Sequence, residues 1–190
     1  MKTVYLAGAI DHASPDFAVG WRREATARLK AAGYGVLDPT IGKDFSDPNI
    51  NTTAYTPKQI VETDKAMIKR ADILLVEMSR DDIPYIGTSM EILYAWERGK
   101  EIIVWGGSES YWVRYHASRI FKTLSEALDY IGEGKCILQQ IEAIRDRVRR
   151  VRENCYPSGW TADPLHSVEN DLTAIVEEFG RGPASAPERE

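Results

Sequence analysis

Two carboxylates and a tyrosine stand out for the company they keep. Glu91 is the one charged residue in the run Met90–Trp96, whose other members are apolar or aromatic. Asp64 falls on a stripe with Ile60, Met67, Ile68 and Ala71 at helical spacing. A carboxylate there is expensive unless it is paired or works in a cleft. Tyr5 lies inside the apolar run Lys2–Ala9, from which its hydroxyl could reach toward Glu91. A carboxylate nucleophile can trap an oxocarbenium-like centre as a covalent intermediate, which a second nucleophile opens with net retention. Two carboxylates and a tyrosine suit that glycosyl chemistry. His12, His116 and His166 are scattered without metal-ligand spacing. Cys136 and Cys155 are too few and too far apart for a metal knuckle or a disulfide scaffold. No metal and no cofactor are expected.

Glu91 has a second reading. Thr88-Ser89-Met90-Glu91 matches the Thr-x-x-Glu capping box, as does Thr123-Leu124-Ser125-Glu126. Either way the pattern predicts a helix opening near Thr88, buried on nearly all sides, with Glu91 in its first turn. The positive end of the helix dipole would there favour the ionised carboxylate. Asp64 likewise has the alternative of a paired or snorkelling structural role.

The elements that must position these groups follow from local pattern. Lys2–Ala9 and Ala71–Met78 read as strands buried on both faces, the mark of a parallel sheet. Gly35–Pro39, Glu101–Trp105 and Arg119–Phe121 complete a set of five. Ser14-Pro15 gives an N-cap and a first-position proline, and Phe17, Trp21, Ala25, Leu29 and Ala32 share one face of the helix that ends near Gly33. Thr56-Pro57-Lys58-Gln59 combines cap, proline and capping-box glutamine at the head of the Asp64 helix. Between them the polar stretch Thr40–Tyr55 is long for a connection and reads as a functional lid. Strand and helix alternating imply a three-layer α/β fold with a parallel sheet and right-handed crossovers.

The last third differs. Ile137, Ile141, Ile144, Val148 and Val151 are spaced as an a/d seam on a helix rich in arginine, from Arg145 to Arg152. Those arginines read as a solvated face, with a phosphate patch as the alternative. Asp163-Pro164 opens a final helix through Leu172, Ile175 and Phe179. The expected division is an α/β domain over residues 1–132, a helical extension over 133–181 and a disordered tail over 182–190.

The 190 residues carry a net charge of −5, which argues against nucleic-acid binding through a basic surface. No run approaches the ~18 apolar residues of a membrane span. A cytoplasmic setting without membrane partners is expected.

In open parallel sheets the ligand sits beyond the carboxyl ends of the strands. The candidate ligand contacts are therefore Gly8, Ala9, Ile10 and Asp11 after the first strand, Trp21 on the first helix, and Asp38 and Pro39 after the second strand. Tyr85, Gly87, Thr88, Ser89 and Met90 lead into the Glu91 helix. Neither a G-x-G-x-x-G after the first strand nor a G-x-x-x-x-G-K-[ST] is present, so a dinucleotide site or a P-loop is not expected.

These residues resemble the nucleoside 2-deoxyribosyltransferases. The resemblance is carried in order by Val4–Gly8, by Asp64 with Met67-Ile68 and Ala71-Asp72, by Gly87–Ile92 with Tyr94-Ala95, and by Gly99-Lys100. It spans about residues 3–131 and includes relatives that are nucleoside 5′-monophosphate N-glycosidases. It implies a flavodoxin-like sheet, a catalytic Glu91, a Tyr5 that orients it, and an Asp64 that contacts the base or assists its protonation. It also implies a homo-oligomer whose sites are completed by a neighbouring subunit, with His116, Ser118 and Arg119 in the expected region. One position departs. Six residues before the glutamate the transferases tend to carry Asp and the monophosphate hydrolases Ser, whereas this chain has Tyr85.

Three functions follow as expectations. The first is transfer of a deoxyribosyl group between bases. The second is hydrolysis, with Arg22, Arg23 or the arginine-rich helix as phosphate ligands if the substrate is a 5′-monophosphate. The third is a non-catalytic nucleotide-binding module with the Ile137–Val151 seam as its interaction element.

Overall fold

The structure is a computed structural model and describes residues 1–43, 55–107 and 110–133, positions 141, 144, 145, 148 and 149, and the helix at 164–181. One compact unit is built on Met1–Tyr130 and another on Ile131–Ala184. In the first unit β1 (Thr3–Ala7), β2 (Gly35–Leu37), β3 (Ile73–Glu77), β4 (Glu101–Trp105) and β5 (Arg119–Phe121) form one sheet. Its order is β2-β1-β3-β4-β5 and every pairing is parallel. This is the flavodoxin-like order, and its direction of winding reverses between β1 and β3.

Helices α1 (Pro15–Ala31), α2 (Pro57–Arg70), α3 (Ile86–Trp96) and α4 (Tyr111–His116) connect the strands, and residues 124–133 form a further helix, α5. The sheet is apolar on both sides, so both sides must be covered. Tyr5, Ala7, Leu74, Val76, Ile102 and Val104 pack with Ile68 of α2 and with Ile92 and Ala95 of α3. Side chains alternate along a strand, so Leu6, Leu75, Glu77 and Trp105 belong to the opposite face. There Trp21 of α1 meets Trp105 edge-on at 5.8 Å. Arg28 of α1 donates to Asp129 of α5 at 2.6 Å.

The caps read from sequence hold for α1 and α2. Ser14 Oγ accepts from the Phe17 N–H, and Thr56 and Gln59 form a reciprocal box behind Pro57. Thr123 and Glu126 form theirs as well, with Glu126 Oε2 accepting from the Thr123 N–H at 3.0 Å. The Thr88–Glu91 box does not form. Helix α3 begins at Ile86 on a left-handed Tyr85 (φ 47°) and has no side-chain cap, so Glu91 stands in the second turn. The dipole effect fades within the first turn, and the expected electrostatic help for its ionised form is lost. Nor is α3 buried all round: Ile86 and Met90 are exposed, while Thr88, Ile92 and Ala95 face the core.

Helix α4 had no signal in the sequence, because six residues carry too little periodicity. The carboxyl end of β4 depends on Gly106, where φ is +102° and a Cβ would lie 2.4 Å from Ser79 Cα. The lid expectation falls largely on residues 44–54, outside the described ones, and so do Ile137, Val151 and the tail at 182–190. In the second unit the helix α6 (Pro164–Arg181) is present, and Arg149 Nε donates to Glu169 Oε1 at 2.7 Å.

Candidate active site

The site is organised around the point where the sheet reverses. Tyr5 is carried by β1 and Glu91 by the helix that follows β3, so the two flank that point from 86 positions apart in sequence. The Tyr5 hydroxyl donates to Glu91 Oε1 at 2.5 Å. Asp64, on α2, completes the group: its charge raises Glu91, and the Tyr5 hydroxyl lowers Asp64.

The electrostatics make Glu91 a carboxylate poised between two states. Burial raises its pKa from the usual 4.5 to about 7; the Tyr5 hydroxyl opposes that, the Asp64 charge adds to it, and Arg22 and Lys43 pull it back. Desolvation therefore outweighs the donors, contrary to the expectation from the helix dipole. Asp64 is also raised, chiefly by burial, with Lys43, Tyr5 and Arg22 acting against it. Burial first, then the charges of Glu91 and Asp64, hold the Tyr5 phenol well above its ordinary range. Tyr5 is thus a permanent donor. An acid raised by burial and paired with a second raised acid is the pattern expected of a reaction centre.

Asp64 lines a cleft of about 350 Å³ whose other walls include Leu37, Asp38, Pro39, Lys43, Tyr55 and Met67. Of the expected ligand contacts, this places Asp38 and Pro39 beside Asp64. Gly8 and Ala9 follow β1 at the same end of the sheet, and Ile10 and Asp11 continue that loop. Gly87, Ser89 and Met90 are exposed on the first turns of α3, and Thr88 is buried.

Other expectations meet a different environment. Trp21 is buried against Trp105 on the face of the sheet opposite Tyr5. Tyr85 is buried too, and its hydroxyl donates to Glu77 Oε1 at 2.7 Å. Arg22 is fully buried with its N–H groups on main-chain carbonyls, which removes it as a surface phosphate ligand; Arg23 is exposed. His116 is buried among Trp96, Trp112 and Tyr115, its Nδ1 2.7 Å from Trp112 O. Ser118 Oγ accepts from the Ile102 N–H, and Arg119 is exposed.

Sequence reasoning passed over two charged groups near this centre, Lys43 and Glu77, and read a third, Arg22, only as a phosphate ligand. Glu77 gave the same signal as Glu91, a carboxylate inside an apolar run. Arg22 sits next to Trp21 on the buried face of α1, where an arginine is out of place. Lys43 had no signal.

Comparison with known proteins agrees with the fold. The family model for nucleoside 2-deoxyribosyltransferase matches residues 4–133, and the chain belongs to that family. A relative from Thermofilum pendens, provisionally named 2′-deoxynucleoside 5′-phosphate N-hydrolase 1, is 33% identical over 75 residues. Those residues are 40% of this chain and 48% of the relative, so the chain spans about half the length of the curated relative it matches. A 2-deoxyribosyltransferase from Bacillus psychrosaccharolyticus superposes with a TM-score of 0.54 at 18% identity, over 67% of this chain and 91% of its own, a likeness of fold. A CMP N-glycosidase from Clostridium botulinum gives 0.49 at 22% identity, over 68% and 98%. Among the described residues no helix is long and apolar enough to cross a membrane.

Proposed function

We propose that the protein cleaves the N-glycosidic bond of a 2′-deoxynucleoside with Glu91 as nucleophile and transfers the sugar to a second base. A Glu91 carboxylate oxygen bonds to C1′ as the C1′–N bond breaks, and the base leaves with the bonding pair. Asp64, raised by its burial, donates the proton or hydrogen bond that the departing base needs, an assistance worth ~10²–10⁴ in rate. A nitrogen of the incoming base then attacks C1′ and gives up its proton to Asp64, the ester bond to Glu91 breaks, and both side chains return to their starting states. Inversion twice at C1′ gives net retention. Tyr5 orients Glu91 and keeps one of its oxygens engaged.

The observation that carries this reading is the 2.5 Å bond from Tyr5 to Glu91 at the reversal point of the sheet, with Asp64 in electrostatic contact with both. Membership of the family supports it. A second reading has its own support in the name of the Thermofilum pendens relative: water opens the glycosyl-Glu91 ester, and the substrate is a 5′-monophosphate. Exposed Arg23 is the phosphate candidate that remains on α1. In either case Arg119 is the exposed residue in the region through which a neighbouring subunit would complete the site.

Trapping with a 2′-fluoro-2′-deoxynucleoside, followed by peptide mass spectrometry, tests the shared step. Sugar mass on the peptide that contains Glu91 is the expected result, and its absence alongside turnover would overturn the covalent route. Incubating a deoxynucleoside with a different free base then separates transfer from hydrolysis, since only transfer makes a new nucleoside. Ligand-induced stabilisation without turnover would point to a binding module instead.

A further inference from the structure

Arg22 is among the bulkiest fully buried side chains of the described residues, and nothing in the reaction above uses it. A guanidinium inside a protein is costly unless its donors are met. Here they are met by main chain. Nη2 donates to Gly8 O at 2.8 Å, Nη1 to Ala18 O at 2.5 Å and to Ala9 O at 3.4 Å, and Nε to Leu6 O at 3.4 Å. Asp38 approaches Nε at 3.8 Å. One side chain thus touches the end of β1, the loop after it, the first turn of α1 and the residue that follows β2.

That loop has no slack. A Cβ added at Gly8 would lie 2.9 Å from both Glu77 Cβ and Trp21 Cζ2, and 3.4 Å from Arg22 Nη2. The four hydrogen-bond acceptors are neutral carbonyls, and the one carboxylate in range stands at 3.8 Å. Asp38 meets that positive charge in part, and the charge also acts on Glu91 and Glu77. Glu91 is hydrogen-bonded by Tyr5 from β1 and feels the charges of Asp64 from α2, Arg22 from α1 and Lys43 from the segment after β2; Arg22 is one of the two cations that favour its ionised form.

We propose that Arg22 is a positioning residue for the chemistry at Glu91: its guanidinium binds the loop after β1 and Asp38 into one frame, and supplies a fixed positive charge to the two carboxylates. The role at turnover rests on the reading of Glu91 as nucleophile; the electrostatic role does not. A lysine could keep the charge but not the planar set of donors that reaches four carbonyls.

The test combines kinetics with a substrate-free titration of Glu91 by NMR of ¹³C-labelled glutamate, the resonance assigned with Glu91→Gln. Arg22→Met should move the Glu91 midpoint upward by roughly half a unit or more, because an opposing charge is gone, and carry the acidic limb of kcat/KM with it. Arg22→Lys should leave the midpoint near the wild-type value and raise KM several-fold, since the loop loses its ties. Gly8→Ala, which disturbs the loop and keeps the charge, should raise KM with the midpoint unmoved. A folded Arg22→Met with midpoint and KM both unmoved overturns the proposal. If Arg22→Met does not fold, Arg22→Lys and Gly8→Ala with unchanged KM overturn it instead. A shifted midpoint in proteins that turn over no nucleoside at all would support Arg22 and overturn the glycosyl reading.

Discussion

Two glutamates near the carboxyl end of β3 each accept a hydrogen bond from a tyrosine, and they are built for opposite ends. Glu77 Oε1 accepts three: from Tyr85 Oη at 2.7 Å, Ser79 Oγ at 2.7 Å and the Ser79 N–H at 2.6 Å. These donors come from the loop that leads into α3, so the carboxylate works as a knot that shapes the loop. Among the described residues Glu91 takes one side-chain donor, Tyr5, and is raised by burial to about 7. Three donors from its own loop tie Glu77 into the structure through Oε1, although its Oε2 is buried without a hydrogen-bond partner, whereas a single tyrosine ties Glu91. Both acids break an apolar run in the sequence, and the donor count around them is what separates them.

Exchanging the acids should break the comparison most visibly. Glu91→Gln should lower turnover by about 10³-fold or more, the scale seen when a nucleophile is lost, with the fold intact by circular dichroism. Glu77→Ala should do the reverse. It leaves the buried Tyr85 hydroxyl without an acceptor and unties the loop at exposed Ser79, and should cost about 2 kcal/mol in urea unfolding, with its catalytic loss tracking the unfolded fraction. Gly106→Ala belongs with Glu77. Its Cβ would strike the Ser79 backbone whose N–H feeds that carboxylate, and a destabilisation of about 3 kcal/mol or more is expected.

Stability against pH sharpens the contrast. Glu91 holds its proton more tightly in the folded chain, about 7 against the usual 4.5. Between those values the native state binds more protons than the unfolded one, so stability is fully present below pH 4.5 and falls as pH rises toward 7. The loss is on the order of 3 kcal/mol at most. Thermal unfolding of Glu91→Gln across pH 4–8 should lack this decline, and the variant should be more stable than wild type at pH 8. A decline that persists unchanged would place the raised acid elsewhere.

The smallest effects separate the tyrosines. Tyr5→Phe removes a donor that lowers Glu91, so the acidic limb of kcat/KM should move above 7. Tyr85→Phe should leave that limb in place and cost about 1 kcal/mol of stability. The reverse assignment of these two outcomes would mean that the roles of the acids have been exchanged.

Much of this molecule was legible before any coordinates. Five strands, their parallel arrangement and the α1 and α2 starts followed from apolar runs, Ser14, Thr56 and two prolines, because those signals act within a turn or two of chain. The Thr88 box shows where such reasoning fails. The same four-residue pattern caps a helix at Thr123, yet at Thr88 the helix has already begun, because Tyr85 is pinned to Glu77 by a contact across the loop. Asp64 and Glu91 were visible as acids in apolar company, as Glu77 was, but pattern alone could not say which of them is tied down by its own loop and which is held by a distant tyrosine.

The sequence by itself determined the strand set, the caps at Ser14, Thr56 and Thr123 and the short list of acids, since spacing and capping chemistry are local. Only the tertiary structure decided which acid meets which tyrosine, that Arg22 is locked under the loop after β1, and that burial outweighs the helix dipole at Glu91. Those outcomes depend on partners tens of residues apart and on how much water each group gives up, and neither quantity is written into any single stretch of chain.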